Sequence, residues 1–298
     1  MKRAILLLAA LAWSAQAEPR HIHTSDGVDL YVQVKGSGTP CLYIHGGPGS
    51  GSWWLEKFSG PMLEKRFRMI YLDQRGVARS SSPKDGNYSM DRMVRDFEEV
   101  RAALHIERWI TLGHSFGGLL QVGYAQRHPQ VIAGMIILNA SLNLTRSMAE
   151  ALPKACELLG DDSFCTDTTK PAAQRWMAAA GKLREKKIFW KMQYASRDNE
   201  RRMAATFGEI PNWNKDQENK LKVDDYLVDL TPATPGLNMP VLFFYGKTDW
   251  VAVGPSQYKD VRFPNQLLWG SDVGHVPFLE NPADLEKAID QFRGRAGL

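Results

Sequence analysis

The sequence predicts an α/β fold in which a mainly parallel sheet carries helices on both faces. Short, continuous apolar runs of buried-strand length recur along the chain, for example at Cys41–Ile44, Met69–Leu72 and Val241–Tyr245. Helix-like stretches lie between such runs and space their apolar residues three or four positions apart. This alternation is typical of parallel strands that are buried on both sides.

The elements begin with an antiparallel hairpin. Asp26-Gly27 is a turn signal, and the run after it, Val28–Val34, alternates between apolar and polar residues. A helix is predicted over Met90–Leu104 with Ser89 as its N-cap, and a C-terminal helix is predicted to begin after Asn281. The remaining strands are expected at Trp109–Leu112, Met135–Leu138 and Gln266–Trp269.

The domain organisation follows from a change of character at 142–236. Helix-forming residues dominate this stretch, and the short strand-like runs stop there and resume at Val241. We therefore expect a core in two parts, 18–141 and 237–298, with a helical cap at 142–236.

Composition indicates a globular protein without a nucleic-acid partner. Of the 298 residues, 44% are hydrophobic, which is enough to form a large core. The formal net charge is +4 and the basic residues are scattered. The densest basic stretch, Lys182–Lys191, is interpreted as a solvated helix face, because no nucleic-acid motif accompanies it.

The first 17 residues have the pattern of a secretory signal peptide. Lys2 and Arg3 precede a short apolar run, and a small-residue exit predicts cleavage after Ala17. An exported protein works in an oxidising compartment, where Cys156 and Cys165 are close enough in sequence to pair. The protein is therefore expected to be periplasmic or secreted, and the state of the two cysteines is left open.

A Gly-x-Ser-x-Gly segment at 113–117 is the first candidate for chemistry. It follows the run that ends at Leu112 and precedes a helix-like run, Leu119–Arg127. Strand, tight turn and helix in this order expose a serine as a nucleophile. Gly113 and Gly117 provide the small residues that so tight a turn needs. A glycine-rich turn with an incidental serine is the alternative, so partners for Ser115 are required.

Those partners follow at later strand ends. A serine hydroxyl needs a base to take its proton, and the base needs a third group to orient it. Asp249 comes just after a predicted strand, and His275 follows the last one. The order serine, acid, histidine is the one that accompanies this type of turn. Ser115, Asp249 and His275 are therefore the predicted triad; Asp272 lies too near to His275 to come from a separate strand end.

A glycine-rich loop after Cys41–Ile44 is the candidate oxyanion hole. The predicted donors are the N–H groups of Phe116 and Gly47, with Gly46 as an additional candidate. Asp73 and Arg75 are expected to brace this loop rather than touch substrate. Candidates for pocket lining, with core packing as the alternative, are Trp53, Trp54 and Trp250.

Five motifs occur in an order that resembles one known family. They are His-Gly-Gly-Pro-Gly at 45–49, Asp-Gln-Arg-Gly at 73–76, Gly-His-Ser-Phe-Gly-Gly at 113–118, Gly-x-x-Asp at 246–249 and the segment 274–282. The chain resembles the proline iminopeptidase family of α/β-hydrolases, of the peptidase S33 type. The resemblance implies an eight-stranded sheet, a helical cap after strand six and the triad named above. It also implies hydrolysis without metal or organic cofactor, releasing an N-terminal residue, often proline, from short peptides.

The cap departs from the family pattern. Family members hold the α-ammonium group of the substrate with cap carboxylates, often in a Trp-x-x-Trp-Glu stretch, which this sequence lacks. The candidate anchors are Glu150, Glu157, Glu200 and Glu209. Each has a solvated surface position as its alternative, because glutamates are mostly exposed.

Two functions therefore remain open, both proceeding through an acyl-enzyme. One is an aminopeptidase of proline iminopeptidase type; the other is a carboxylesterase or related ester or amide hydrolase whose cap sets specificity. A non-catalytic binding protein would predict a broken triad, and this triad is complete. The expected partner is a small molecule or a short peptide, with no nucleic acid and, after signal removal, no membrane; the oligomeric state is open.

Overall fold

The computed structural model describes residues 18–252 and 257–298; the predicted signal peptide lies outside the described residues. The described residues form one eight-stranded sheet in the order β1-β2-β4-β3-β5-β6-β7-β8. Its strands are β1 (Arg20–His23), β2 (Asp29–Lys35), β3 (Pro40–Ile44), β4 (Arg68–Leu72), β5 (Trp109–His114), β6 (Ile132–Leu138), β7 (Val241–Gly246) and β8 (Gln266–Ser271). The strand pairs are parallel except for β1 with β2 and β2 with β4. The predicted fold class is confirmed.

Helices cover both faces of the sheet. The helices of the described residues are α1 (Trp53–Glu64), α2 (Met90–Ala103), α3 (Phe116–Arg127), α4 (Leu144–Leu159), α5 (Ser163–Thr166), α6 (Ala172–Glu185), α7 (Trp190–Gln193), α8 (Arg197–Ala204), α9 (Asp216–Lys220), α10 (Pro277–Glu280) and α11 (Pro282–Ala296). Leu42 and Ile44 belong to the apolar cluster that contains buried residues of α2 and α3. Cys41 and Tyr43 belong to the opposite cluster, with buried residues of α1 and α11. Successive residues of β3 thus enter different cores, as the period of a strand requires.

Local signals placed several elements correctly. The Ser89 side chain accepts a hydrogen bond from the Arg92 N–H at the start of α2, and Asn281 caps α11 in the same way. The strand ending before Ser115 extends two residues beyond the predicted Leu112. Helix α1 was not foreseen from the sequence. It contains Gly60 and Pro61, which weaken the helical signal, and it forms because Leu55 and Leu63 are buried under the sheet.

The stretch between β6 and β7 contains α4 to α9 and has an apolar cluster of its own. Leu152 and Ala155 of α4 pack in this cluster with Trp176 and Leu183 of α6. A disulfide joins Cys156, on α4, to Cys165, on α5. Cys41 is buried away from both, and burial raises the pKa of its thiol. Within 18–252 and 257–298, none of the helices combines the length and apolar character needed to cross a bilayer.

Candidate active site

Ser115 stands at the turn between β5 and α3. Its backbone has a positive φ of 54° and a ψ of −125°, which is a strained conformation for a residue with a side chain. The neighbours must be glycines. A Cβ on Gly117 would lie 2.0 Å from the carbonyl oxygen of Ile44, and one on Gly113 would lie 2.3 Å from the side chain of Gln121. Steric contacts thus explain why the Gly-x-Ser-x-Gly segment has glycines at 113 and 117.

The three predicted triad residues come together at the carboxyl end of the sheet. His275 Nε2 lies 2.9 Å from Ser115 Oγ, and His275 Nδ1 lies 2.9 Å from Asp249 Oδ2. Asp249 is 1% exposed and His275 is 6% exposed. This arrangement can pass the hydroxyl proton of Ser115 to the imidazole, while the buried carboxylate fixes the ring and stabilises the imidazolium.

Asn139 completes the environment of the acid and was missed from the sequence. Its Nδ2 donates to Asp249 Oδ2 at 3.0 Å and to the Gly274 carbonyl at 2.7 Å. The other oxygen of Asp249 accepts N–H groups from Val251 at 2.9 Å and from Ala252 at 3.3 Å. The available signal was a polar residue directly after the apolar strand β6, at the same sheet edge as the triad.

Two further histidines support the site as neutral groups. His114 Nε2 lies 2.7 Å from the carbonyl oxygen of His275. Burial, together with the neighbouring His275, lowers the pKa of His114 to about 3. Burial also lowers the pKa of His45 to about 4, and its Nε2 accepts the Gln74 N–H at 3.0 Å. At neutral pH both rings are therefore uncharged and contribute hydrogen bonds to the site.

The predicted oxyanion donors lie beside Ser115. A Cβ on Gly46 would approach to 2.7 Å from the Cβ of Ser115, so only glycine allows the loop so close. Gly47 has a φ of +116°, and a Cβ there would meet the Gly49 nitrogen at 2.5 Å. Within the described part of the chain, the N–H groups of Gly47 and Phe116 have no acceptor. Both are therefore available to a developing negative charge.

Asp73 secures the segment that follows this loop. Its Oδ1 accepts the N–H and the hydroxyl of Ser52, both at 2.8 Å, and its Oδ2 accepts Arg79 Nε at 2.6 Å. The Arg75 side chain stabilises a different part of the fold. It is fully buried and binds Asp96 and Asp26, which ties α2 to the β1–β2 turn. The expectation of a brace on the oxyanion loop therefore fits Asp73 and not Arg75.

In the described part of the chain, two cavities meet at Ser115. The larger has a volume of about 340 Å³ and is lined by His275 and by residues of the 142–236 stretch that include Arg184, Phe189 and Gln193. The smaller has a volume of about 150 Å³ and is mostly apolar, with Phe116, Leu144, Met148, Trp176 and Val223 among its lining. An outer groove of about 380 Å³ shares Arg184, Phe189 and Tyr194 with the larger cavity.

Of the three tryptophans proposed for substrate contact, the structure brings one to the site. Trp54 lines the larger cavity and stacks on Trp213 at 5.3 Å between ring centroids. Trp53 and Trp250 are absent from the described lining of both cavities at Ser115. Trp250 instead packs against the apolar cluster of α4 and α6. Its backbone N–H donates to the Met192 carbonyl of α7 at 3.1 Å.

The candidate ammonium anchors do not lie at Ser115. None of them is among the described residues that line either cavity there. Glu150 pairs with Arg146 at 2.7 Å, Glu157 with Lys154 at 2.6 Å and Glu209 with Lys57 at 2.8 Å. Glu200 lines only the outer groove, 3.4 Å from Arg197. A basic side chain thus neighbours each of these carboxylates.

A buried serine–histidine–aspartate array on this sheet defines a hydrolase-type site, and comparison with known proteins gives its family. A family model described as alpha/beta hydrolase fold matches residues 39–282. The chain belongs to this alpha/beta hydrolase fold family.

Known relatives agree with the motifs. A probable proline iminopeptidase of Streptomyces coelicolor is 33% identical over 152 residues, covering 46% of this chain and 46% of the relative. The proline iminopeptidase of Neisseria gonorrhoeae is 34% identical over 122 residues, covering 39% of this chain and 38% of the relative. The chain thus spans less than half the length of these two relatives. The resemblance to proline iminopeptidases is confirmed.

Solved structures share the fold along nearly the entire chain. A proline iminopeptidase-related protein from Thermus thermophilus has a TM-score of 0.76 at 23% identity, covering 94% of this chain and 99% of that chain. An esterase from Thermogutta terrifontis has a TM-score of 0.71 at 19% identity, covering 95% of this chain and 100% of that chain. At such identities the likeness concerns the fold.

Proposed function

We propose that this protein is a serine hydrolase that cleaves an amide or ester bond through an acyl-enzyme. The observation that carries the proposal is the unbroken chain of contacts from Ser115 Oγ through His275 to Asp249, with 2.9 Å at each step. No other arrangement at this sheet edge gives a hydroxyl both a base and an orienting acid in the described residues.

In the proposed mechanism, His275 takes the Ser115 proton as the hydroxyl attacks the substrate carbonyl. The N–H groups of Gly47 and Phe116 bind the oxyanion. His275 then gives the proton to the leaving group, which departs and leaves an acyl group on Ser115. Water, activated by the same imidazole, attacks this ester and restores the enzyme.

The first candidate reaction is release of an N-terminal residue from short peptides, as in proline iminopeptidases. The sequence relatives and the five ordered motifs support it. The smaller cavity supports it in size, because an apolar cavity of about 150 Å³ accommodates a ring as large as benzene. A prolyl ring is of that scale.

Carboxylesterase activity is the second candidate, and it is favoured because no ammonium anchor is found among the described residues that line the cavities at Ser115. An aminopeptidase needs a carboxylate to hold the substrate ammonium, whereas an esterase does not. The described lining residues of the two cavities at Ser115 include no aspartate or glutamate. Ester hydrolysis requires only the triad and the oxyanion donors.

Three substrates separate the candidates: proline p-nitroanilide, its N-acetyl derivative and p-nitrophenyl acetate. An aminopeptidase hydrolyses the free amine far faster than the blocked amide. Equal rates for the two amides contradict that candidate, and hydrolysis of the ester alone selects the esterase. The Ser115→Ala variant is the control; if it retains the wild-type rate on any of the three, the proposed mechanism is wrong.

We also propose that the protein acts outside the cytoplasm. The signal-like pattern of residues 1–17 supports export, and so does the disulfide between Cys156 and Cys165, which is typical of oxidising compartments. Expression of the full chain in a Gram-negative host is expected to yield a periplasmic form whose N-terminal residue is Glu18. Recovery of the chain only in the cytoplasm, still beginning at Met1, would contradict export.

A further inference from the structure

The direction of proton transfer indicates which of the two cavities holds the leaving group and which holds the acyl group. In the proposed function, His275 hands its proton to the leaving group, so the leaving group must lie on the side of Ser115 that His275 faces. His275 lines the larger cavity and is absent from the described lining of the smaller one. The leaving group therefore occupies the cavity of about 340 Å³, and the acyl group occupies the cavity of about 150 Å³.

The leaving-group cavity contains one strong cation. Arg184, on α6, is the only arginine, lysine, aspartate or glutamate among its described lining residues. Its guanidinium carbon lies 4.2 Å from the centroid of the Phe189 ring. This cation–π contact favours a position of the guanidinium over the ring and leaves its N–H donors free.

Among the described residues, no side chain accepts a hydrogen bond from those donors of Arg184. Other cap arginines are paired, Arg146 with Glu150 and Arg197 with Glu200. Within the described residues, no ion pair or side-chain hydrogen bond involves the Arg184 guanidinium. An arginine fork that contacts an aromatic ring and has no acceptor among the described residues is suited to bind a planar anion such as a carboxylate.

The outer groove beside this cavity is also mainly positively charged. The outer groove that shares Arg184 with it is also lined by Lys187 and Arg197, and Glu200 is its one described carboxylate. A cleft lined mainly by one sign of charge raises the local concentration of the opposite ion. An anionic substrate is therefore favoured in this groove and in the adjoining cavity.

We propose that Arg184 determines specificity by binding a carboxylate on the leaving group of the substrate. The substrate class is a small apolar acyl group joined to an anionic alcohol or amine. For a peptide, this is a di- or tripeptide with a free C-terminal carboxylate. The proposal rests on the proposed serine hydrolase mechanism and holds for either candidate reaction.

A matched pair of esters tests the proposal: 4-acetoxybenzoate, whose leaving group carries a carboxylate, and methyl 4-acetoxybenzoate, whose leaving group is neutral. Both give the same acetyl-enzyme, so deacylation is common to them and any difference arises before the leaving group departs. The measured quantity is the ratio of kcat/KM for the anionic ester to that for the neutral ester. Comparing variants cancels the intrinsic difference in reactivity.

In Arg184→Gln the ratio is expected to fall about threefold to tenfold, the range for a charge-assisted contact at an exposed site. Arg184→Glu should lower it further, and Arg184→Lys should retain part of it. The matched control is Lys182→Gln, which removes one positive charge from the same helix. Lys182 pairs with Glu185 and is absent from the described lining of these cavities, so its loss should leave the ratio unchanged.

The outcomes are decisive in both directions. An unchanged ratio in Arg184→Gln, or an equal fall in Lys182→Gln, overturns the assignment, since the first denies the contact and the second shows only a general field. A ratio that declines with added salt in the wild type but not in Arg184→Gln supports it, because salt screens exposed charges. If the aminopeptidase reaction is confirmed, Pro-Gly and its C-terminal amide form the corresponding peptide pair.

Failure of this proposal can be told apart from failure of the proposed function. Hydrolysis of the neutral ester that disappears in Ser115→Ala upholds the mechanism whatever the ratio does. If Ser115→Ala hydrolyses both esters at the wild-type rate, the mechanism is wrong and the Arg184 assignment falls with it.

Discussion

Two charged groups, Asp249 of the sheet core and Arg184 of the helical stretch at 142–236, have opposite environments. In the core, Asp249 is 1% exposed and accepts four hydrogen bonds, from His275, Asn139, Val251 and Ala252. In the helical stretch, Arg184 is exposed, its guanidinium carbon lies 4.2 Å from the centroid of the Phe189 ring, and no carboxylate of the described residues pairs with it.

This difference indicates that the core determines the catalytic step and that the helical stretch determines substrate specificity. Buried polar groups must be satisfied within the protein, so the core fixes the triad in one arrangement. Exposed groups are stabilised by water and remain free to meet a ligand. We therefore expect substitutions in the core to change whether a bond is cleaved and substitutions in the helical stretch to change which bond is cleaved.

The largest expected effect is that of Ser115→Ala. Removing the nucleophile should lower kcat by about 10⁴-fold or more on any substrate, because the oxyanion donors alone give only residual catalysis. Measurement of p-nitrophenyl acetate hydrolysis with active-site titration checks this. If the kcat of Ser115→Ala is within tenfold of wild type, Ser115 is not the nucleophile. The proposed division of roles between the core and the helical stretch is then wrong.

The next effect is that of Gly47→Ala. The new Cβ would lie 2.5 Å from the backbone nitrogen of Gly49, so the loop must shift and the Gly47 donor moves with it. Loss of one such donor lowers kcat by about 10²–10³-fold. Gly38→Ala is the matched control, since Gly38 also has a positive φ, of +93°, but its Cβ would meet nothing nearer than 4.0 Å. Equal losses of activity in both variants would show that backbone strain, and not the donor, is responsible.

Removing the disulfide tests the helical stretch. The double variant Cys156→Ser, Cys165→Ser should reduce the free energy of unfolding by about 2–3 kcal/mol, because the bridge no longer restricts the unfolded chain. Chemical denaturation measures this, and wild-type protein treated with a reductant should lose the same amount. Hydrolysis of a small ester should continue, as neither cysteine lines the described cavities at Ser115. Loss of ester hydrolysis in folded protein would contradict the separation.

The smallest effect concerns pH. Burial lowers the pKa of His114 from 6.5 to about 3 in the folded protein. Between these values the unfolded chain binds a proton on this ring and the folded chain does not, so the free energy of unfolding falls as the pH drops. From pH 6.5 to pH 5 the loss from this group is about 2 kcal/mol.

The His114→Asn variant isolates that contribution. Urea unfolding at pH 7 and at pH 5 should show a smaller loss of stability in the variant than in the wild type. His21→Asn is the control, because its side chain is exposed and meets water in both states. Identical pH dependence in His114→Asn and wild type would show that His114 is not held neutral by burial.

The core site was largely predictable from the sequence because its residues occupy positions that a parallel sheet brings together. Ser115, Asp249 and His275 each follow a strand of the parallel part of the sheet, and parallel strands end at one edge. Asn139 occupies the same kind of position after β6 but belongs to no motif, so it was overlooked. Helix α1 was missed because burial of its apolar residues, and not local propensity, determines it.

Contacts in the helical stretch were not predictable in this way. Glu150, Glu157, Glu200 and Glu209 looked equivalent in sequence, and their neighbours depend on how the helices pack. Arg184 lay within a basic stretch that was interpreted as a solvated face. It differs from its neighbours in having no carboxylate partner within 18–252 and 257–298, which is a property of the packed structure and has no counterpart in local sequence.

The short helix α7 has a consequence for how such proteins diversify. The Gln193 carbonyl accepts the N–H of His275, and the Met192 carbonyl accepts the N–H of Trp250, next to Asp249. Two peptide units of the helical stretch thus hold the loops that carry the base and the acid. Exchanging the helices around α7 for those of another hydrolase should transplant a preference for substrates. Exchanging α7 itself should misalign the recipient's base, so a chimera is best joined on either side of these two carbonyls.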